Sequence, residues 1–282
     1  MTKLLLVLVA KMTPSSPNDN TSGVRIQKVL AQMGVGSRRE IEKAIIEKRI
    51  SVNKKLAEIG QLISNEDTIF FDGKLINLNS DEALPRILIY NKPEGEIVSE
   101  SDPKGRPTVF DHLPQIKNAK WISIGRLDFN TSGLLIFTSY GEFANRLMHP
   151  RYEIEREYSV RVLGELTNNQ ISQLRAGIKL EDGLAKFETI SFRGGEGSNH
   201  WYQVTLKEGR NREVRRLFEF FNITVSRLMR IRFGGIVLPP NLKKGNYIEL
   251  SEKEVLNILA KFKVNNAKFN KAQIAKVKKN RR

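Results

Sequence analysis

From Arg86 to about Ser251 the apolar residues gather in short runs, several alternating with polar ones, and glycine, proline or polar pairs separate them. Such runs predict β-strands. They fall over Ile87–Asn91, Trp121–Ile124, Leu134–Thr138, Tyr158–Leu163, Lys186–Phe192, Trp201–Leu206, Val225–Ile231 and Tyr247–Leu250. Helical spacing predicts helices over Gly141–Met148, Thr167–Ala176 and Asn211–Phe221, the second opened by a capping box of Thr167 and Gln170. Strands in runs, broken by few helices, predict an α+β domain with a mainly antiparallel sheet rather than a doubly wound one.

Residues 25–75 read as a compact basic module. Val29, Leu30 and Met33 make a short helical stripe that Gly34-Val35-Gly36 ends. Ser37 and Glu40 form a capping box for a second helix whose apolar face is Ile41, Ala44 and Ile45. Arg38, Arg39, Lys43, Lys48 and Arg49 fall largely off that face and are candidate contacts to a polyanion. Short strands follow at Ile50–Val52 and Thr68–Phe71, with turns at Asn53-Lys54 and Asp72-Gly73. Residues 76–85 are polar and read as a linker, and 86–260 as the main domain. Residues 261–282 hold nine basic and no acidic side chains, the pattern of a helix dissolving into a disordered basic tail.

The first 24 residues are expected to be an extension outside any domain. Leu4–Ala10 imitates a short secretory core behind Lys3, but it is too short to span a bilayer. Met12 is an alternative start.

Charge changes the picture more than composition does. Across 282 residues, 40% hydrophobic and 28% charged is ordinary for a folded protein, whereas a formal net charge of +16 is not. It points to a polyanionic partner, nucleic acid before anionic membrane, and so to a cytoplasmic chain. Without cysteine there is no disulfide scaffold, thiolate zinc site or cysteine nucleophile. His112, His149 and His200 lie far apart and lack metal-ligand spacing. Arg193-Gly194-Gly195-Glu196-Gly197 fails as a phosphate loop, with no helix or lysine-serine ending behind it. No cofactor or metal signature is present, and the expected state is a monomer.

Against this basic background one acid stands out. Gly125-Arg126-Leu127-Asp128, followed by Phe129-Asn130-Thr131-Ser132-Gly133, sets a carboxylate between two apolar runs. If the strand continues to Asp128, Arg126 and Asp128 share a face, and a neighbouring guanidinium favours the ionised acid. A nucleophile and a turn aspartate capping backbone amides stand equal on the tetrapeptide alone. Lys207 to Leu217 places Arg210, Arg212, Arg215 and Arg216 at the start of a predicted helix, suited to phosphate or to a solvated face laced with Glu208, Glu213 and Glu219. Lys92, in Tyr90-Asn91-Lys92-Pro93, either holds a phosphate at a cleft rim or marks a plain strand exit. Tyr158 stacks a base or, more simply, packs in the core.

Together these pieces resemble one family of ribosomal pseudouridine synthases, the one that unites synthase A of the small ribosomal RNA with synthase B of the large, and they stand nearest the synthase B branch. The resemblance covers roughly residues 25–250. Ile26 to Lys74, with Gly36-Ser37-Arg38-Arg39, is similar to the S4 RNA-binding module that precedes that family's catalytic domain. Gly125-Arg126-Leu127-Asp128 is similar to its catalytic motif, Tyr90-Asn91-Lys92-Pro93 to its first motif, and Gly209 to Arg216 to its third. Asp102 to Pro114 and Glu142 to Pro150 resemble the synthase B branch in particular.

The resemblance implies a small S4-type module followed by a mixed, mainly antiparallel synthase domain that isomerises a uridine in ribosomal RNA, most simply 23S RNA. It implies Asp128 as nucleophile, Arg215 as its basic partner, Tyr158 packing on the target uracil and Arg126 entering the helix space left by the flipped nucleotide. Lys92, Arg210, Arg212, Arg216 and the basic residues of the first module would contact RNA. Alternatives are a 16S RNA enzyme and a non-catalytic S4-type assembly protein; a nucleoside hydrolase would need a water-activating base or metal cluster that the sequence does not offer.

Overall fold

The computed structural model describes residues 23–78, 84–116 and 119–264; most of the predicted N-terminal extension, part of the linker and most of the basic tail lie outside these residues. The chain divides into two compact units near residue 79, with the stretch 31–35 grouped with the larger one.

In the small unit, β1 (Val24–Arg25) leads into α1 (Ile26–Gln32) and α2 (Arg38–Ile46), followed by β2 (Ile50–Val52), β3 (Lys55–Leu56), β4 (Leu62–Ile63), β5 (Ile69–Phe71) and β6 (Lys74–Ile76). β1 pairs with β4, and the other four strands form an antiparallel sheet in the order β3-β2-β5-β6. Two tight turns close its hairpins: Asn53-Lys54 (φ 51° and 66°) and Asp72-Gly73 (φ 48° and 73°). Two consecutive positive φ values match the right-handed twist of paired strands. The Ser37–Glu40 capping box forms as predicted and buries Ile41, Ala44 and Ile45. The first helix differs from expectation. It starts directly after β1, so Ile26 and Leu30 are buried, while Val29 and Met33 are only partly covered.

The larger unit is built on a nine-stranded sheet. In chain order it contains β7 (Ile87–Lys92), β8 (Ile122–Ser123), β9 (Ser132–Thr138), α3 (Gly141–Met148), β10 (Arg156–Leu163), α4 (Asn168–Ala176), the hairpin β11 (Ile178–Leu180) and β12 (Gly183–Ala185), β13 (Thr189–Glu196), β14 (Asn199–Leu206), α5 (Glu213–Glu219), β15 (Thr224–Phe233), β16 (Ile236–Val237), β17 (Tyr247–Glu249) and α6 (Glu252–Lys261). The sheet order is β13-β14-β10-β15-β9-β7-β17, with β8 beside β9 and β16 beside β15. All neighbours are antiparallel except β15 and β9.

Side chains alternate across a strand, so each central strand serves two cores. Leu88, Tyr90, Leu135 and Phe137 join Tyr158, Val160, Tyr202 and Val204 under α4 and α5. Ile87, Ile89, Leu134 and Ile136 join Phe143 and Leu147 of α3 and Val255 and Leu259 of α6 on the other face. This explains why β7 and β9 read as nearly continuous apolar runs: every residue in both is buried.

Several boundaries moved for tertiary reasons. The predicted strand at Trp121–Ile124 shrinks to two residues. The run from Lys186 to Phe192 is not one strand, because Phe187 turns into the core between β12 and β13. Helix α6 was hidden by the charge of the tail, although Ser251 and Glu254 form a capping box. Phe262 and Val264, placed in the tail by composition, are buried against that core.

The parallel pairing of β9 with β15 sets Gly133 opposite Arg230. Gly133 has φ of +98°, and a Cβ there would lie 2.3 Å from the Arg230 carbonyl oxygen. Both the backbone conformation and the approach require glycine. Gly133→Ala is expected to destabilise the protein by more than ~1 kcal/mol, lowering Tm by several degrees in a thermal melt; an unchanged Tm would show that the two strands separate at no cost.

Candidate active site

Chain geometry around Asp128 is set by what flanks it. Gly125 adopts φ of +79°, turning the backbone out of β8. Leu127 is buried in the core, which leaves Arg126 exposed on one side and Asp128 half-buried on the other. The strand does not continue to Asp128, so the expected shared strand face does not exist. A turn replaces it, closed by the Thr131 amide donating to the Asp128 carbonyl at 3.0 Å. Arg126 and Asp128 nevertheless line the same cleft, of about 880 Å³, with Tyr158, Arg210 and Arg212. That is ample for a nucleotide.

Lys92 corrects an expectation. It is fully buried, so it holds no phosphate at a rim. Its ammonium donates to the carbonyls of Pro93 (2.8 Å), Thr131 (3.0 Å) and Phe129 (3.5 Å), two of them in the Asp128 turn. Burial pushes its pKa down to about 8, against the opposing pull of Glu96, Glu94 and Asp128.

Arg215 reaches the same turn from α5, donating to the carbonyl of Asn130 (2.8 Å) and to that of Val225 (3.0 Å), not to the carboxylate. Burial and the nearby Arg212 lower its pKa, and the Asp128 charge opposes them. Three consecutive carbonyls, those of Phe129, Asn130 and Thr131, are thus held by two buried cations.

Helix α5 begins later than predicted. Arg212 sits in the left-handed region (φ 49°) as its N-cap, and the helix runs only from Glu213 to Glu219. The helix start is not an open phosphate site, because the Glu213 carboxylate accepts the Arg210 amide at 3.0 Å. Burial pushes the Glu213 carboxyl up. Arg216 is not at the cleft; both terminal nitrogens donate to Asp182 at 2.8 Å. Arg210 donates to Glu208 (2.5 Å) and to the Leu184 carbonyl (2.8 Å), so these two arginines fix α5 to the hairpin of β11 and β12. Arg212 pairs with Glu219 at 3.0 Å.

Tyr158 belongs both to the core and to the cleft wall. Beneath it lies Arg230, which the sequence reading missed. This guanidinium is buried in the cleft floor, donates to the Leu134 carbonyl at 2.8 Å, and has its charge supported by Tyr158. The signal was present: Leu228 and Arg230 are two apart on one strand, so an arginine occupies a core-facing position. Phe129, 40% exposed beneath the Arg106 guanidinium, and the buried Arg156 were missed as further cleft residues.

In the small unit, Arg38, Arg39, Lys43, Lys48 and Arg49 are all exposed. Arg49 pairs with Asp72 (2.5 Å) and Lys43 with Glu47 (3.8 Å).

The unfolded chain holds the Lys92 proton up to its ordinary pKa near 10.4, and the folded one releases it at about 8. Between those values the unfolded state binds more protons, so the Lys92 contribution to stability rises with pH. Unfolding free energies measured from pH 7.5 to 10.5 are expected to climb more steeply in wild type than in Lys92→Met. Parallel curves would show that Lys92 is not desolvated.

A model of RNA pseudouridylate synthases matches residues 86–220 and one of S4 domains matches residues 24–69. The chain is 52% identical over 245 residues to the ribosomal large subunit pseudouridine synthase B of Pseudomonas aeruginosa, covering 86% of this chain and 63% of that protein. It thus spans less than two thirds of that relative's length. It is 53% identical to the protein of that name from Yersinia pestis over 82% of this chain and 74% of the relative. Its identity to the Escherichia coli protein of that name is 54%, over 80% of this chain and 79% of the relative. A crystal structure of a pseudouridylate synthase superposes with a TM-score of 0.58 at 27% identity, covering 83% of this chain and 99% of that one. No described helix is long and apolar enough to cross a membrane. With its cleft, its motifs and these relatives in agreement, the chain belongs to the RNA pseudouridylate synthase family.

Proposed function

We propose that this chain converts a uridine of ribosomal RNA, in the large-subunit (23S) RNA, into pseudouridine, with Asp128 as nucleophile. The observation that carries the reading is a half-buried carboxylate on a rigid turn, facing a nucleotide-sized cleft with arginines along its walls. The names of the relatives support the large-subunit RNA as substrate. A ribosomal RNA substrate places the protein in the cytoplasm, and a monomer suffices because one chain supplies the whole cleft.

The reaction exchanges the N1–C1′ bond of uridine for a C5–C1′ bond. Uracil leaves C1′, turns while held, and rejoins through C5; the C5 proton departs and N1 ends protonated. Asp128 engages the ribose side during cleavage. Lys92 and Arg215 are positioning residues, since each grips the turn rather than the substrate. Tyr158 stacks the extruded base over the Arg230 charge. Arg126, exposed at the mouth, occupies the gap the nucleotide leaves, and flipping costs a few kcal/mol, least in a loop or bulge. Exposed cations of the small unit supply backbone affinity that falls with salt.

Asp128→Asn is expected to abolish pseudouridine formation while RNA affinity stays within about twofold; retained activity would remove Asp128 from the chemistry. Tyr158→Leu is expected to lower kcat/KM by roughly 5- to 150-fold, the value of one base–aromatic stack, with the protein still folded by circular dichroism. Mapping pseudouridines across ribosomal RNA with and without the gene tests the substrate: loss of a large-subunit site supports the reading, and loss confined to small-subunit RNA overturns it.

A further inference from the structure

On the outer strands the sheet is clothed on one face only. The inward residues of β10 and β14, Val160 and Tyr202 among them, join the core, whereas the outward ones belong to neither apolar cluster. Register brings Arg161 of β10 directly opposite Trp201 of β14 and Arg227 of β15. Directly opposed residues in antiparallel strands project from the same face. The Arg161 guanidinium lies 5.9 Å from the Trp201 ring centre and donates to Ser226 Oγ at 3.0 Å. Arg193, on β13, is exposed and close enough to Glu157 to act on its charge, while Glu157 itself is already ion-paired with Arg232.

Two arginines facing each other across a ladder, with no carboxylate between them, cost stability. Nothing in the fold repays that cost: among the described residues Arg161 and Arg227 have no ion pair, and Arg227 is exposed. An aromatic ring flanked by guanidinia on an open sheet is the chemistry that stacks a base and neutralises the phosphates beside it. The chain's own basic tail is an unsuitable cover, because its charge has the same sign.

We infer that this face is a second RNA-contact surface, on the side of the sheet opposite the cleft, and that it takes an unpaired stretch of the same ribosomal RNA outside the target loop. The inference rests on an RNA substrate but not on catalysis.

The test uses the full chain and in vitro transcribed large-subunit ribosomal RNA, with binding measured from 50 to 300 mM salt. For Arg161→Ala/Arg227→Ala the slope of log K against log salt is expected to fall by roughly two, one per lost phosphate contact. Trp201→Ala is expected to weaken binding by roughly 5- to 150-fold. The double variant should melt no lower than wild type, because it removes a like-charge pair. Slopes and affinities unchanged in folded variants would overturn the inference, as would loss of self-association with RNA affinity intact. If wild type binds through this face yet forms no pseudouridine, the surface stands and the catalytic reading fails; if pseudouridine forms and the slope does not move, the reverse holds.

Discussion

Two buried cations gripping the backbone of one turn are the constraint on which the cleft depends. Lys92 comes from the end of β7 and Arg215 from α5, two elements 123 residues apart in the sequence, and both donate to carbonyls next to Asp128. A turn of this kind would ordinarily flex in solvent. Here its carbonyls satisfy charges that are costly to bury, and the charges in turn fix the carbonyls. Burial lowers the pKa of each cation, and the Asp128 carboxylate opposes it in both cases. The acid, the turn and the two cations are one electrostatic unit.

The sheet supplies the rigidity this unit needs. Its centre is covered on both faces, by α4 and α5 on one side and by α3 and α6 on the other. The cleft opens where β9 meets β15, its parallel neighbour, and where Gly133 lets the two backbones close on each other. The same seam carries Arg230 beneath Tyr158. The surrounding arginines have divided duties: Arg210 and Arg216 anchor α5 to its neighbouring hairpin, whereas Arg126 remains exposed at the mouth.

Much of the fold was legible because it rests on local rules. Capping boxes at Ser37 and Thr167, the paired turns at Asn53 and Asp72, and the period-two pattern of β10 and β14 are each written within a few residues. The Gly125–Asp128 motif was legible for another reason: a lone acid in a strongly basic chain is conspicuous. Less legible was what each arginine does. Arg215 and Arg216 are adjacent in sequence, yet one holds the Asp128 turn and the other pairs with Asp182. A helix turns about 100° per residue, so neighbours serve different faces.

The sequence by itself determined the elements, the two-part organisation, the basic character and the acid that matters, since propensity, periodicity and charge are properties of short segments. Only the tertiary structure decided that Lys92 is buried rather than at a rim, that Arg230 lies under Tyr158, and that Phe262 belongs to the core. Those outcomes depend on which distant segments pack together. A cation's role follows from the partners that burial leaves it, and no local pattern names them.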